Sequence, residues 1–79
     1  MAAKAYVLIE TAVGKSKDVV ADVTQLDGVE LADSVTGPYD VIAIIEAESM
    51  IEIGELVADR IGSISGISRT VTCLAINPS

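Results

Sequence analysis

The sequence predicts one α+β domain in which two β-α-β halves share a four-stranded antiparallel sheet. Three observations support this prediction: four apolar, β-branched segments of strand length, two intervening segments with apolar residues at helical spacing, and a repeat that relates the two halves. A chain of 79 residues has room for one such domain with a modest core. We therefore treat residues 1–79 as a single domain.

The first half of the chain is predicted to form a strand, a helix and a second strand. Residues 5–13 (AYVLIETAV) are the first strand. Ser16 is the expected N-cap of the helix, because its hydroxyl can accept a hydrogen bond from a free amide of the first turn. Gly28 is expected to end the helix in a left-handed conformation, and residues 29–36 form the second strand.

The second half follows the same order. Residues 41–47 (VIAIIEA) are the third predicted strand. Ser49 and Glu52 match the S-x-x-E capping box that marks the start of a helix. Gly66 is expected to end this helix, and residues 67–76 form the fourth strand.

The two halves are related by a constant offset of 38 residues. Four residues around the end of the first helix recur at the end of the second: Val23, Leu26, Gly28 and Val29 match Ile61, Ile64, Gly66 and Ile67. A repeated β-α-β unit is typical of the ferredoxin-like βαββαβ fold. We therefore expect an antiparallel sheet in the order 4-1-3-2, with two helices on one face.

The first and third strands are apolar on both of their alternating faces, and in this order they are the central strands. In the first strand, Tyr6 and Leu8 alternate with Val7 and Ile9. An antiparallel sheet covered by helices on one side needs apolar side chains on one face only. The second apolar face therefore needs a cover of its own.

A second copy of the chain is the simplest cover. Small domains are usually stabilised by disulfides, a metal ion or a partner subunit. This chain has one cysteine and no histidine, and 51% of its residues are hydrophobic. We therefore expect a homodimer in which two sheets pack face to face.

The composition argues against several classes of partner. The net charge is −7, with five Lys and Arg residues in total, which disfavours direct binding to nucleic acid or to an anionic membrane. No apolar run approaches the roughly 20 residues that span a bilayer. Because the N-terminus also lacks the features of a signal peptide, we expect a cytoplasmic protein.

The sequence contains no recognisable catalytic or cofactor-binding pattern. Without histidine, neither a Ser-His-Asp triad nor imidazole acid–base chemistry is available. The glycines do not form a phosphate-binding loop. Cys73 alternates with Val71 and Ala75 in an apolar strand, which predicts a buried structural thiol. We expect no catalytic residue, no metal and no cofactor.

The turn at residues 36–40 (TGPYD) is the strongest candidate for a binding site. A Gly-Pro pair explains a β-turn between the second and third strands without any further role. The alternative is a ligand site, in which Gly37 lets backbone amides approach a ligand, Asp40 holds an ammonium group and Tyr39 supplies a flat wall. The residues alone leave both interpretations open and favour the structural one.

The whole chain resembles the effector-binding domain of the leucine-responsive and asparagine regulator (Lrp/AsnC) family. The turn and the two apolar residues after it match the family pattern T-G-x-[YF]-D-h-h, where h is hydrophobic. Residues 64–70 (ISGISRT) match its l-x-G-h-x-x-[ST] region. Pro38 departs from the acidic or polar residue common at that position and removes one amide donor.

The resemblance implies an assembly and a site. It implies dimers that pair their sheets into an α+β barrel and rings of such dimers, with small effectors, typically amino acids, bound between dimers near the turn. On that basis the ligand-binding residues are Gly37, Tyr39 and Asp40, followed by the hydroxyl residues Thr36, Ser68 and Thr70.

Members of this family usually carry an N-terminal DNA-binding helix-turn-helix. Since this chain begins at the first strand, it resembles the stand-alone version, and we expect an amino-acid-sensing and oligomerisation module that does not bind DNA directly. A full-length regulator of the family is a second candidate partner. The alternatives are a purely structural assembly module, a small enzyme of the dimeric α+β barrel class, and an ACT-type regulatory domain.

Overall fold

The computed structural model describes residues 3–77 and contains the six predicted elements. The strands and helices are β1 (Ala3–Thr11), α1 (Ser16–Thr24), β2 (Val29–Ser34), β3 (Val41–Ala47), α2 (Met50–Glu55) and β4 (Ile67–Leu74). All strand pairs are antiparallel, in the order β2-β3-β1-β4. Read from the other edge, this is the predicted order 4-1-3-2, so the ferredoxin-like fold is confirmed.

The core lies between the sheet and the two helices. On the central strands, every second side chain points into the core, without exception. The fully buried residues are Ala5, Val7 and Ile9 on β1, and Val41, Ala43 and Ile45 on β3. The helices contribute the apolar positions that the helical spacing predicted. Their fully or almost fully buried members are Val19, Val23, Ile53 and Ile61.

Both predicted glycine stops are confirmed. Gly28 and Gly66 each have φ of +97°, a conformation that residues with a side chain rarely adopt. Gly28 follows α1 and Gly66 follows the second helical segment, and each leads directly into an edge strand. The repeat in the sequence therefore corresponds to a repeat of helix end, left-handed glycine and strand.

The cap of α1 differs from the prediction. Lys15 occupies the N-cap position and makes no side-chain cap bond, and Ser16 is the first helical residue. The hydroxyl of Ser16 is thus one position past the place from which a cap side chain reaches back to the free amides. The predicted N-cap role of Ser16 was wrong by one residue.

The capping box of α2 is confirmed. Ser49 has an extended backbone, and its Oγ accepts a hydrogen bond from the amide of Glu52 at 3.2 Å. The Oε1 atom of Glu52 in turn accepts from the amide of Glu48 at 3.2 Å. The first bond satisfies one of the amides that a helix start leaves unpaired, and the second holds the residue before the N-cap against the same turn.

The second helical segment is not the continuous α-helix that we expected. After Glu55 it becomes a π-helix (Leu56–Arg60) and then a 3₁₀ turn (Ile61–Ser63). Two glycines, Gly54 and Gly62, weaken the α-helical preference of this stretch. The carbonyl oxygen of Val57 lies 3.3 Å from where a Cβ of Gly62 would be, so the wider turn fits closely against a residue without a side chain.

The strand ends also differ from the prediction. β1 ends at Thr11, because its pairing with β4 shifts register between Glu10 and Thr11 and the chain then turns at Gly14, which has φ of +77°. Val13, predicted to lie in the strand, is fully exposed. β2 and β4 each end two residues earlier than expected, at Ser34 and Leu74.

One face of the sheet carries no helix within residues 3–77, and we call it the open face. Its apolar side chains alternate with the buried ones and meet across neighbouring strands. They are Tyr6, Leu8, Leu31, Ile42, Ile44, Val71 and Cys73. Tyr6 and Leu31 are 39% and 41% exposed. The predicted second apolar face is thus present and uncovered in the single chain.

Cys73 corrects one prediction. Its thiol is exposed, although its apolar neighbours along the sequence predicted burial. Cys73 lies opposite Tyr6 on β4, an edge strand, and points to the open face. The apolar environment that the sequence indicated belongs to a face that one chain does not cover.

We find no helix within residues 3–77 with the length and apolar character needed to cross a membrane.

Candidate functional site

The turn at 36–40 lies at the end of β1 and is fixed to it by backbone hydrogen bonds. The amide of Asp40 donates to the carbonyl of Ile9 at 2.9 Å, and the carbonyl of Asp40 accepts from the amide of Val35 at 2.9 Å. The first bond continues the β1–β3 ladder beyond the Ile9–Val41 pair. The turn is therefore attached both to β1 and to the end of β2.

The carboxylate of Asp40 adds a third attachment. Its Oδ2 atom accepts a hydrogen bond from the amide of Thr11 at 2.8 Å, and the site is partly buried. Thr11 follows the register shift between β1 and β4, where a bulge disrupts the regular ladder. Asp40 therefore serves as a hydrogen-bond acceptor for the bulge, a structural role that the sequence did not predict.

Tyr39 is half-buried and contacts an arginine from the far side of β1. The guanidinium of Arg69 donates to the Tyr39 hydroxyl at 3.3 Å, and its Cζ atom lies 6.0 Å from the ring centroid. The guanidinium therefore meets the hydroxyl end of the ring and lies at the outer limit of a cation–π contact. Since Arg69 pairs with Glu10 on β4, its side chain reaches past the end of β1.

Ser68 lies beside this group, whereas Thr70 does not join it. The Ser68 hydroxyl donates to the carbonyl of Glu10 at 3.0 Å, on the β4 side of the same strand end. Thr70 pairs with Ile9, whose side chain is buried under the helices, so Thr70 points to the helix-covered face of the sheet. The structure thus gathers Tyr39, Asp40 and Ser68 around the end of β1.

Thr36 and Gly37 are exposed at the outer rim of the turn. Gly37 does not have a positive φ. A Cβ added there would meet no heavy atom within 4 Å in the part of the chain that the structure describes. Within a single chain, the turn itself thus imposes no steric need for glycine.

Arg69 is the functional candidate that sequence reasoning missed. In the sequence it appeared only within the segment 64–70 (ISGISRT). The predicted strand order contained a signal, because the first strand lies between the third and the fourth. This places the turn, which precedes the third strand, and an arginine of the fourth strand at the same end of the first strand. We call Tyr39, Asp40 and Arg69 the turn site.

Several shallow grooves lie elsewhere on the described surface. One, formed by α2, the π-helix and Asp27, is lined mainly by carboxylates, and another, between α2 and β4, is lined mainly by apolar side chains. Among residues 3–77, no three His, Cys, Asp or Glu residues are grouped so that they could hold a metal ion.

Comparison with known proteins agrees with the fold. The sequence model of the Lrp/AsnC ligand binding domain matches residues 4–78. The chain belongs to this family. The match covers every described strand and helix except Ala3, the first residue of β1, so the turn site lies within the Lrp/AsnC ligand binding domain.

A relative by sequence is an uncharacterized HTH-type transcriptional regulator of Pyrococcus furiosus. It is 26% identical over 70 residues, which cover 89% of this chain and 47% of the regulator. The chain thus spans about half the length of the curated relative that it matches. The similarity is to a transcription regulator, not to an enzyme.

Two solved structures show the same fold. A protein of Thermus thermophilus is 31% identical, with a TM-score of 0.91, over 98% of this chain and 96% of its own. A transcriptional regulator of Neisseria meningitidis, solved as a complex with L-Met, is 16% identical, with a TM-score of 0.84, over 95% of this chain and 50% of its own. At that identity the second structure supports the fold alone.

Proposed function

We propose that this Lrp/AsnC domain senses a small effector, an amino acid or a close relative of one, at the turn site. The observation that carries the proposal is the Asp40 carboxylate, which is partly buried and held in place by the Thr11 amide. That bond uses Oδ2 and leaves Oδ1 to accept from a ligand ammonium group. The L-Met complex of the Neisseria meningitidis regulator, which has the same fold, is consistent with this ligand class.

The neighbouring residues take supporting roles in this proposal. The half-buried ring of Tyr39 is a wall against which the ligand lies. Gly37 gives the ligand access to the backbone of the turn. Thr36 and Ser68 offer hydroxyls at the same strand end. Thr70 points to the helix-covered face of the sheet, so it can act on the site only from that side.

The proposal includes self-association in the cytoplasm. The open face carries seven apolar side chains, which come from all four strands. It is the surface that a second copy covers. The turn site then lies at the rim of the dimer, at the end of the sheet, where a second dimer completes the pocket. A ligand seated there favours the assembly that supplies every wall of its pocket.

A screen for thermal shifts with the twenty amino acids tests the binding proposal. A ligand that binds only the native state stabilises it by about 2.7 kcal/mol at one hundred times its dissociation constant, and so raises the melting temperature. We expect one or a few amino acids to give such a rise. A flat response to all twenty at millimolar concentration contradicts effector binding.

Two substitutions of Asp40 separate binding from folding. Asp40→Asn keeps an oxygen that accepts from the Thr11 amide and removes the negative charge, so we expect a folded protein that no longer binds the effector in calorimetry. Asp40→Ala also removes the acceptor and leaves the amide unpaired, which costs about 1–3 kcal/mol of stability. An Asp40→Asn variant with unchanged affinity shows that the site has been wrongly assigned.

A purely structural assembly module is the second candidate. The hydrogen bond from Thr11 to Asp40 favours it, because the bond gives the aspartate a reason to be present without any ligand. This candidate predicts that Asp40→Ala lowers the melting temperature while no amino acid raises that of the unaltered protein. The same screen therefore distinguishes the two functions.

A further inference from the structure

We infer that Arg69 binds the carboxylate of the effector and is the residue by which the turn site prefers an acid over its uncharged amide. The inference rests on the proposed function, in which Asp40 takes the ammonium group. It adds the second charged contact, made by a residue of β4.

The first support for this inference is that Arg69 and Asp40 lie at the same end of β1. Arg69 is the β4 partner of Glu10, and Asp40 binds the amide of the next residue, Thr11. The two residues thus lie on opposite flanks of β1, at neighbouring positions of its end, and Arg69 contacts Tyr39, the residue before Asp40. An α-amino acid carries its two charges on the same carbon, so it can engage an anion and a cation that come from the two flanks of one strand end.

The second support is that Arg69 has hydrogen-bond donors left for a ligand. An arginine has five N–H donors in a rigid fork, and the contact with the Tyr39 hydroxyl uses one of its terminal nitrogens. Arg69 is exposed, so its other donors face solvent. A guanidinium with free donors is suited to bind a carboxylate through two parallel hydrogen bonds. Tyr39 orients this fork and does not neutralise it.

The third support is the negative net charge of the domain. With a net charge of −7, the domain repels anions at long range. A ligand carboxylate therefore needs a cation at the site itself, and Arg69 is the basic residue that contacts the turn. Glu10, across from Arg69 on the same face, competes for the guanidinium, so we expect Glu10→Gln to tighten the binding.

The test compares two probes that differ only in the carboxylate. The first is the amino acid that gives the largest melting-temperature rise among the twenty, and the second is its neutral α-carboxamide. We expect the unaltered protein to prefer the acid by about tenfold or more. Arg69→Gln should bring the two affinities together, and Asp40→Asn should weaken both probes.

Two control variants make the result specific. Arg60→Gln removes the same charge from the π-helix, so it should keep the preference for the acid. Tyr39→Phe removes the hydroxyl that Arg69 contacts and should keep most of that preference. The inference is overturned if Arg69→Gln still prefers the acid, or if Tyr39→Phe loses the preference as completely as Arg69→Gln does. If none of the twenty amino acids raises the melting temperature, the proposed function fails, and this inference fails with it.

Discussion

Both faces of the sheet carry apolar side chains on the central strands, but the surroundings of these side chains are very different. On β3, Val41, Ala43 and Ile45 are fully buried under the helices, whereas Ile42 and Ile44, which alternate with them, are only half-buried on the open face. The same contrast holds on β1. The side chains of the open face shield one another only partly, which leaves apolar surface in water.

This difference shows which face of the sheet a single chain buries by itself and which face needs a partner to cover it. The helices and glycine stops of the two halves bury one face completely. The apolar residues of the other face have no such partner within residues 3–77. A large exposed apolar patch on a soluble domain marks an interaction site. The open face is therefore the physical reason to expect self-association, independent of any family relationship.

Ile45 and Ile44 provide the sharpest test of the comparison, because they are adjacent, chemically identical and on opposite faces. We expect Ile45→Ala to lower the free energy of unfolding by about 2–5 kcal/mol, since it opens a cavity in the core. Ile44→Ala should cost no more than about 1 kcal/mol in a dilute monomer, because part of its side chain is already in water. Denaturant titration measures both. Equal losses contradict the assignment of the faces.

Ile44→Asp tests the role of the open face in assembly. A carboxylate there would have to be buried without a partner when a second copy packs against it. We expect the unaltered protein to have at least twice the 8.2 kDa mass of one chain in light scattering and a melting temperature that rises with concentration. The variant should have the mass of a folded single chain, with a melting temperature that is independent of concentration. A variant that remains dimeric excludes this face as the interface.

Gly66→Ala tests the left-handed glycine that ends the second helical segment on the covered face. At φ of +97°, a residue with a side chain costs about 1–2 kcal/mol. The new Cβ would also lie 3.2 Å from the Cβ of Lys15 and 3.3 Å from Cγ2 of Val19. Gly37→Ala is the matched control, because Gly37 has no positive φ and open space around it. Its stability should change by no more than about 0.5 kcal/mol. Equal effects at both positions contradict a conformational role for Gly66.

Much of the fold was predictable from local patterns. The helical spacing predicted two helices with an apolar side, which bury Val19, Val23, Ile53 and Ile61 in the structure. The repeat at Gly28 and Gly66 indicated two equivalent β-α-β units. Both signals arise from short-range constraints, namely which side of a helix is apolar and where the backbone must turn left-handed. These constraints leave a trace in the spacing of residues.

The rest depends on contacts between segments distant in the sequence. The bond from Thr11 to Asp40 needs a register shift between β1 and β4, which no local pattern reveals. The contact of Arg69 with Tyr39 joins residues 30 positions apart. The exposure of Cys73 follows from which face of the fourth strand lacks helices. Sequence patterns located the turn, but the residues that surround it depend on how the strands pair.

Cys73 offers the most direct test of the central claim that a second copy covers the open face. Its thiol is exposed in the single chain and lies on that face, opposite Tyr6. We predict that a maleimide labels Cys73 slowly in the unaltered protein at concentrations where light scattering shows a dimer, and rapidly in Ile44→Asp. Rapid labelling of the unaltered dimer, at the rate of the variant, would contradict the account, because it would place the interface elsewhere on the molecule.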